Sequence, residues 1–187
     1  MPPKKKCYLS PTGSRLLKIA HLLFAMMWTG CGIAVLLLLF VSSPETADEH
    51  YQRAWALKVI DDFGIIPGAL GCLLTGLLYG LVTPWGFFKQ KWIVIKWAVF
   101  LFLVLAGAIA LGPWINTNAG IVTADRDAVN VDPEFHINLV NLMLFLPIQF
   151  FFLIFMTFIS VFKPWKGRKQ HWEPEHAGEP MTYADNI

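Results

Sequence analysis

Residues 59–82 read VIDDFGIIPGALGCLLTGLLYGLV, and this stretch decides the fold of the chain. It is longer than the roughly 20 apolar residues that an α-helix needs to cross a bilayer. Small residues recur at every fourth position in it, namely Gly64, Gly68, Cys72, Gly76 and Gly80. On a helix this spacing makes a ridge almost without side chains, which favours close packing against another helix. The alternative is that the ridge leaves a slot for a flat cofactor.

The rest of the chain contains three further apolar runs of the same kind. The chain has 187 residues, of which 56% are hydrophobic and only 15% are charged. The predicted spans are residues 16–41, 59–82, 92–114 and 137–162. We therefore expect an all-α fold, a polytopic transmembrane four-helix bundle over residues 16–162. A lead of residues 1–15 precedes it and a tail of residues 163–187 follows it, which leaves no room for a soluble catalytic domain.

The net charge of +2 is small, but the basic residues are unevenly distributed. They concentrate before the first span, between the second and third, and after the fourth: Lys4, Lys5, Lys6, Arg15, Lys89, Lys91, Lys163, Lys166, Arg168 and Lys169. Loops rich in lysine and arginine stay on the cytoplasmic side of a membrane. The distribution predicts a multi-pass protein of the inner (cytoplasmic) membrane with both termini inside. The lipid bilayer is its first partner, and no signature for nucleic-acid binding is present.

Two longer outer loops follow from these boundaries. The first is acidic, and its residues 44–58 could form an interfacial helix with Tyr51 and Trp55 four positions apart. The third span is expected to stop at Gly112 and Pro113, because proline disrupts a helix interior. This boundary leaves a long, polar second outer loop before the fourth span.

Two ionisable residues lie inside the predicted spans, where such groups are costly and usually functional. His21 lies about one and a half turns into the first span, and Lys96 lies about one turn into the third span. Both spans start from the same side of the membrane, so the two residues share a depth and could form one site. Trp28, seven residues after His21, falls on the same stripe of the helix. The alternative is that Lys96 extends to the headgroups and His21 binds a neighbouring polar group.

The segment KIAHLLFAMMWTG at residues 18–30 resembles the first helix of a loose superfamily of bacterial membrane proteins, the HemJ/CopD-like superfamily. The pattern that carries the resemblance is a lysine, a histidine three residues later, and Trp-x-Gly. It is matched here by Lys18, His21, Trp28 and Gly30. The superfamily also contains uncharacterised families of small four-helix integral membrane proteins, and this chain is most similar to those.

A second match is WIVIKW at residues 92–97, which is similar to the Trp-x-x-x-Lys of a later helix in HemJ and includes Lys96. The resemblance implies that the histidine and the lysine are functional and that the bundle holds b-type haem for electron transfer. His21 would be the iron ligand, and Lys96 could pair with a haem propionate. The glycine ridge, through Gly68 and Gly76, would admit the ring beside Trp28.

Two other functions remain open at this stage. The chain could be a non-enzymatic membrane subunit or scaffold, associating with other subunits or with copies of itself. It could also be a small metal-handling protein, since four potential ligands for Zn²⁺ or Cu²⁺ lie on the outer side: His50, His136, Asp61 and Asp62. Histidine and carboxylate groups suit both ions, but the spacing matches no ligand motif. The sequence assigns no catalytic residue, so it does not decide whether the protein is an enzyme.

The orientation can be tested with reporter fusions. Reporters fused after residue 47 and after residue 125 should both report an external location, because the segments around them carry few basic residues. A reporter fused after residue 169 should report a cytoplasmic location and serves as the control. A cytoplasmic signal from either of the first two fusions would contradict the predicted topology.

Overall fold

The computed structural model describes residues 9–82 and 91–162, which are almost entirely helical. Within these residues, four helical stretches are long and apolar enough to cross a membrane, which confirms the predicted four-helix transmembrane fold. The first is α1, Pro11–Phe40. The second stretch joins α2, Ala47–Ile60, to α3, Ile66–Val82, and the third joins α4, Lys91–Ala106, to α5, Gly112–Ala124. The fourth is α6, Pro133–Phe162.

The helices begin at residues whose side chains satisfy free backbone N–H groups. Ser10 precedes α1, and its Oγ accepts a hydrogen bond from Gly13 N at 3.2 Å. Thr46 and Glu49 form a reciprocal capping box at the start of α2, with Glu49 N donating to Thr46 Oγ1 at 3.3 Å. Such caps stabilise a helix start by about 1 kcal/mol. This explains why α2 begins at Ala47, well before the apolar part of the second stretch.

The expected end of the third span at Gly112 and Pro113 is wrong, because the helix continues through both residues. A five-residue π-turn, Gly107–Leu111, precedes Gly112. A second π-turn, Asp61–Ile65, ends two residues before Pro67, just as the first ends two residues before Pro113. A proline ring clashes with the carbonyl group four residues earlier in a regular helix. Widening the preceding turn moves that carbonyl away, so each helix passes its proline without ending.

The two long loops predicted for the outer side are also mostly helical. In the first, α2 agrees with the helix expected at residues 44–58, whereas α5 extends the third stretch beyond its predicted end. Together α2, α5, the 3₁₀ turn Arg126–Asn130 and the start of α6 form a packed unit, which we call the cap. A buried apolar cluster holds it together: Ala54, Val122, Val129 and Phe135. A prediction from hydropathy alone ends the helices too early, because the helices of the cap also carry polar residues.

The cap also contains polar contacts, two of them buried and one ion pair at its surface. Asn118 Nδ2 donates to the carbonyl oxygen of Phe135 at 3.2 Å, and Asn138 Nδ2 donates to Asn118 Oδ1 at 3.1 Å. Arg126 pairs with Asp48 and lies 4.6 Å from the ring centre of Tyr51. These interactions tie the 3₁₀ turn and α6 to α2 and α5, so the cap is continuous with the bundle.

The glycine ridge of α3 is a packing surface against α1. A Cβ on Gly68 would lie only 2.9 Å from the backbone nitrogen of Trp28 and 3.0 Å from its Cα. Added Cβ atoms on Gly64 and Gly71 would collide with Cys31 and Phe24. Glycine at these positions lets the two helix backbones approach closely, as small residues do in membranes. We call this contact between α1 and α3 the glycine seam.

Several sequence-based predictions fall outside the described residues. Most of the basic lead (residues 1–8), the turn at residues 83–90 and the tail (residues 163–187) belong to this group. The orientation of the bundle in the membrane therefore stays a prediction. Below, the end of the bundle where α1 and α4 begin and α3 ends is called the basal end, and the opposite end carries the cap.

The glycine seam leads to a stability prediction with matched controls. Gly68→Ala should lower the free energy of unfolding in detergent by about 1–3 kcal/mol, since the new Cβ meets a backbone that cannot move away cheaply. Gly76→Ala should have little effect, because its Cβ would meet only the Trp97 ring, at 3.9 Å or more. Gly30→Ala, with no heavy atom within 4 Å, is a second control. Equal thermal unfolding midpoints for all three variants would contradict the seam.

Candidate functional site

His21, the strongest candidate from the sequence, lies in the basal half of the bundle and faces α3. Its Nδ1 is 2.7 Å from Thr75 Oγ1. The hydroxyl of Thr75 in turn donates to the carbonyl oxygen of Gly71 at 2.6 Å. A hydroxyl has one proton, so Thr75 accepts from His21 when it donates to Gly71. The neutral imidazole then carries its proton on Nδ1 and keeps a lone pair on Nε2.

The imidazole of His21 is also held by an aromatic neighbour. The ring of Tyr79 meets it edge to face, with ring centres 6.4 Å apart. The hydroxyl of Tyr79 donates to the carbonyl oxygen of Ser14 at 3.2 Å, which links the end of α3 to the start of α1. The predicted inward orientation of His21 therefore holds, and its ring plane is set by two residues of α3.

Lys96 approaches the same region from α4. It is half-buried and close enough to His21 and Cys72 to interact with both electrostatically. The ion pairs of the described residues are Lys58 with Asp62 and Arg126 with Asp48, and neither supplies a carboxylate to Lys96. A buried ammonium group without a counter-charge is unfavourable. The basal half thus brings a half-buried ammonium group on α4 near an oriented imidazole on α1.

Trp28, Gly68 and Gly76 were also expected to line a cofactor site, but the structure is closely packed at the first two. Trp28 is 5% exposed and packs edge to face on Phe100, with ring centres 5.8 Å apart. Gly68 is closed by the glycine seam, so the expected slot at this position is absent. Gly76, the residue after Thr75, is the open position, and a Cβ there would meet only the Trp97 ring, at 3.9 Å. A cofactor beside His21 would therefore have to lie on the side of α3 that faces α4.

The four residues considered as metal ligands, His50, His136, Asp61 and Asp62, do not form one metal site. His50 and Asp61 are eleven residues apart on one helical stretch, which corresponds to about 16 Å along the axis. His50 packs on Phe135 and contacts Arg53, whereas His136 is exposed. In residues 9–82 and 91–162 no group of three or more histidine, cysteine or acidic residues is placed to hold a metal ion.

The two acidic residues of the first π-turn have different surroundings. Asp62 accepts a hydrogen bond from Lys58 Nζ at 2.8 Å, and Lys58 also contacts Asn116. Asp61 is only 7% exposed, and its Oδ2 is buried without a hydrogen-bond partner in the described part of the chain. Although Asp61 and Asp62 are adjacent in the sequence, the carboxyl group of Asp62 is paired with a lysine near the surface, whereas that of Asp61 is buried.

Sequence reasoning missed three residues of the basal site, Cys72, Thr75 and Tyr79. They recur at positions i, i+3 and i+7 of α3 and so share a face of that helix. The spacing of these three residues is visible in the sequence. Cys72 also belongs to the glycine ridge, however, so the face was interpreted as a packing surface. Thr75 is the most informative of the three, since it determines which nitrogen of His21 is free.

These features define a class, a multi-pass integral membrane protein with a four-helix bundle. The chain belongs to the family described as predicted integral membrane protein (DUF2269), whose pattern matches residues 15–164. That range includes the bundle except for the first four residues of α1, and it covers His21, Lys96 and the cap. Comparison with curated proteins and with solved structures gives no significant match.

The uncompensated charge of Lys96 leads to a stability prediction. In protein free of added ligand, Lys96→Met should raise the free energy of unfolding by about 1–4 kcal/mol, since apolar groups often outperform buried charges. Lys91→Met, at the exposed start of α4, is the control and should change little. The measurement is the thermal unfolding midpoint in detergent. A lower midpoint for Lys96→Met would show that the ammonium has a stabilising partner.

Proposed function

We propose that this protein is an integral membrane redox protein that binds b-type haem in the basal half of its bundle, with Nε2 of His21 as an iron ligand. When bound, haem supplies one-electron chemistry. The fold and the family show a multi-pass integral membrane protein, and the proposal adds a cofactor and a redox role. The contact between His21 and Thr75 is the observation that carries it.

The support from His21 comes from how its other nitrogen is used. Histidines that bind metals almost always donate the second ring N–H to an oxygen acceptor, which fixes the tautomer and the ring orientation. The 2.7 Å contact between His21 Nδ1 and Thr75 Oγ1 matches that arrangement. Gly71 holds the Thr75 hydroxyl in the accepting role. The imidazole is therefore oriented, in the tautomer that leaves Nε2 available as a ligand.

Lys96 supports the proposal through its charge. Haem carries two propionate groups, and a lysine in the same half of the bundle can neutralise one of them. Pairing with a carboxylate would relieve the cost of an ammonium group that has no such partner in the described residues.

The residues fit haem only in part, and this limits where it can lie. Gly68 and Trp28 are excluded as walls of a slot, because α1 and α3 are in contact there. At Gly76, by contrast, a Cβ would meet no backbone and only the side-chain ring of Trp97 on α4, at 3.9 Å. The proposed position is therefore between α3 and α4, next to His21, rather than within the glycine seam.

The test is the Soret absorbance of protein purified from haem-replete cells. His21→Ala should abolish the band, whereas His136→Ala, at the exposed start of α6, should leave it unchanged. Thr75→Val should weaken haem binding by roughly 10-fold to 100-fold, since it removes the acceptor that orients His21. Thr75→Ser keeps the hydroxyl and should restore binding.

Two results would overturn the proposal. One is a colourless wild-type protein isolated from haem-replete cells, and the other is an unchanged Soret band in His21→Ala. Either result would favour the second candidate, a non-enzymatic membrane subunit or scaffold. The glycine seam favours that candidate independently, because it shows the ridge used for the chain's own packing.

A further inference from the structure

An open cleft of about 390 Å³ lies between the end of α1 and the first turns of α2, at the side of the cap. Leu38 of α1 and Ala56 of α2 form part of its apolar lining, and Ser42, Ser43 and Gln52 line it with polar groups. The apolar sequence of α1 ends at this level. The cleft therefore lies where the hydrocarbon core of a bilayer gives way to its headgroups.

Arg53 lines this cleft although it is only 8% exposed. A guanidinium group has five N–H donors, but within residues 9–82 and 91–162 it makes one hydrogen bond, from Nη2 to His50 Nδ1 at 3.4 Å. Neither ion pair of these residues includes Arg53. A buried charge without a counter-charge is unfavourable. An anionic group bound in the cleft would supply the missing charge and accept from the unused donors.

The cleft is also lined by one carboxylate, that of Glu49, which precedes Arg53 by one helical turn. Opposite charges four positions apart on a helix commonly pair, but these two form no ion pair. The capping box explains why, because Glu49 Oε2 accepts from the backbone N–H groups of Glu45 and Thr46, at 2.7 and 3.3 Å. The carboxylate is thereby held toward the start of α2. One cleft thus contains two opposite charges that do not neutralise each other.

We propose that this cleft binds a phosphoethanolamine group, with the phosphate on Arg53 and the ammonium group on Glu49. The planar guanidinium group matches the geometry of phosphate oxygens and binds them with two parallel hydrogen bonds. The capping box uses only Oε2 of Glu49, which leaves Oε1 to accept from the ammonium group. A ligand with both charges satisfies both side chains, whereas a simple anion would be repelled by Glu49.

The phosphoethanolamine group can come from a membrane phospholipid or from a soluble phosphate ester. The position of the cleft fits the lipid, because its apolar side continues onto the surface of α1, where Leu37 and Phe40 are exposed. Acyl chains attached to a bound headgroup would lie along that surface. The cleft is at the cap end of the bundle, so it does not depend on the proposed haem, and its test uses no haem signal.

The experiment measures the thermal unfolding midpoint of the full chain in detergent micelles with added lipid. Dioleoyl phosphatidylethanolamine, phosphatidylcholine and phosphatidylglycerol are compared, since they share their acyl chains and differ only in the headgroup. Phosphatidylethanolamine should raise the midpoint by several degrees. Phosphatidylcholine, whose ammonium group has no N–H, and phosphatidylglycerol, which has no ammonium group, should raise it less. Soluble phosphoethanolamine is the fourth arm, and a shift equal to that of the lipid would identify a soluble ligand.

Variants assign the response to the cleft. Arg53→Met removes the charge but keeps an unbranched side chain, and it should lose the response to phosphatidylethanolamine. Glu49→Gln keeps the capping box, which glutamine also forms, and it should lose the preference over phosphatidylglycerol. Ala56→Leu narrows the cleft without removing a polar group and should weaken the response. Arg126→Met, at an exposed arginine elsewhere in the cap, is the control and should respond as the wild type does.

The proposal would be overturned if the wild-type midpoint responded equally to the three lipids, or most strongly to phosphatidylglycerol. A midpoint that responded to none of the four ligands would also overturn it, as would a full wild-type response in Arg53→Met. Should Arg53→Met not fold, the other two variants decide. Wild-type responses in both Glu49→Gln and Ala56→Leu would exclude the site.

Discussion

The close approach of α1 and α3 is the constraint on which the rest of the structure depends. At Gly68 the backbone of α3 comes so near to Trp28 that no Cβ fits between them. Dispersion contacts of this density hold helices together in lipid, where burial of apolar groups supplies little. The contact also determines the geometry of the basal site. Because the seam is closed, Thr75 can reach across to His21, and any ligand must enter from the α4 side.

A second constraint comes from the prolines at positions 67 and 113. Each follows a π-turn by the same interval, and in each case the wider turn removes the clash with the preceding carbonyl. The two stretches can therefore continue into α2 and α5 and build the cap. The widened turns also change what lies inside. Asp61 is the first residue of one π-turn, and its Oδ2 faces Gly112, the residue that follows the other, so the two irregular turns lie next to each other.

The sequence was sufficient to predict four spans, since apolar length alone determines them. It did not predict their ends, because the capping box of α2 and the buried cluster around Phe135 extend helices into polar sequence. The glycine pattern was only partly informative. A step of four residues turns a helix about 40° beyond one full circle, so Gly76 lies about 80° from Gly68. The seam therefore passes to Gly71, and Gly76 is left facing another direction. The pairing of His21 with Thr75 depends on that rotation.

Between the basal site and Asp61 lies an apolar cluster that contains Trp28, Leu103, Leu153 and Met156 and also includes Cys72 of the basal site. Gln149 reaches its edge, where its amide approaches the carbonyl oxygen of Leu103 at 3.5 Å. Lys96 and His21 lie beyond its other edge. Charge in a medium of low dielectric interacts strongly over short distances but is costly to move through it. The cluster therefore separates the ammonium group of Lys96 from the buried carboxyl group of Asp61 near the cap.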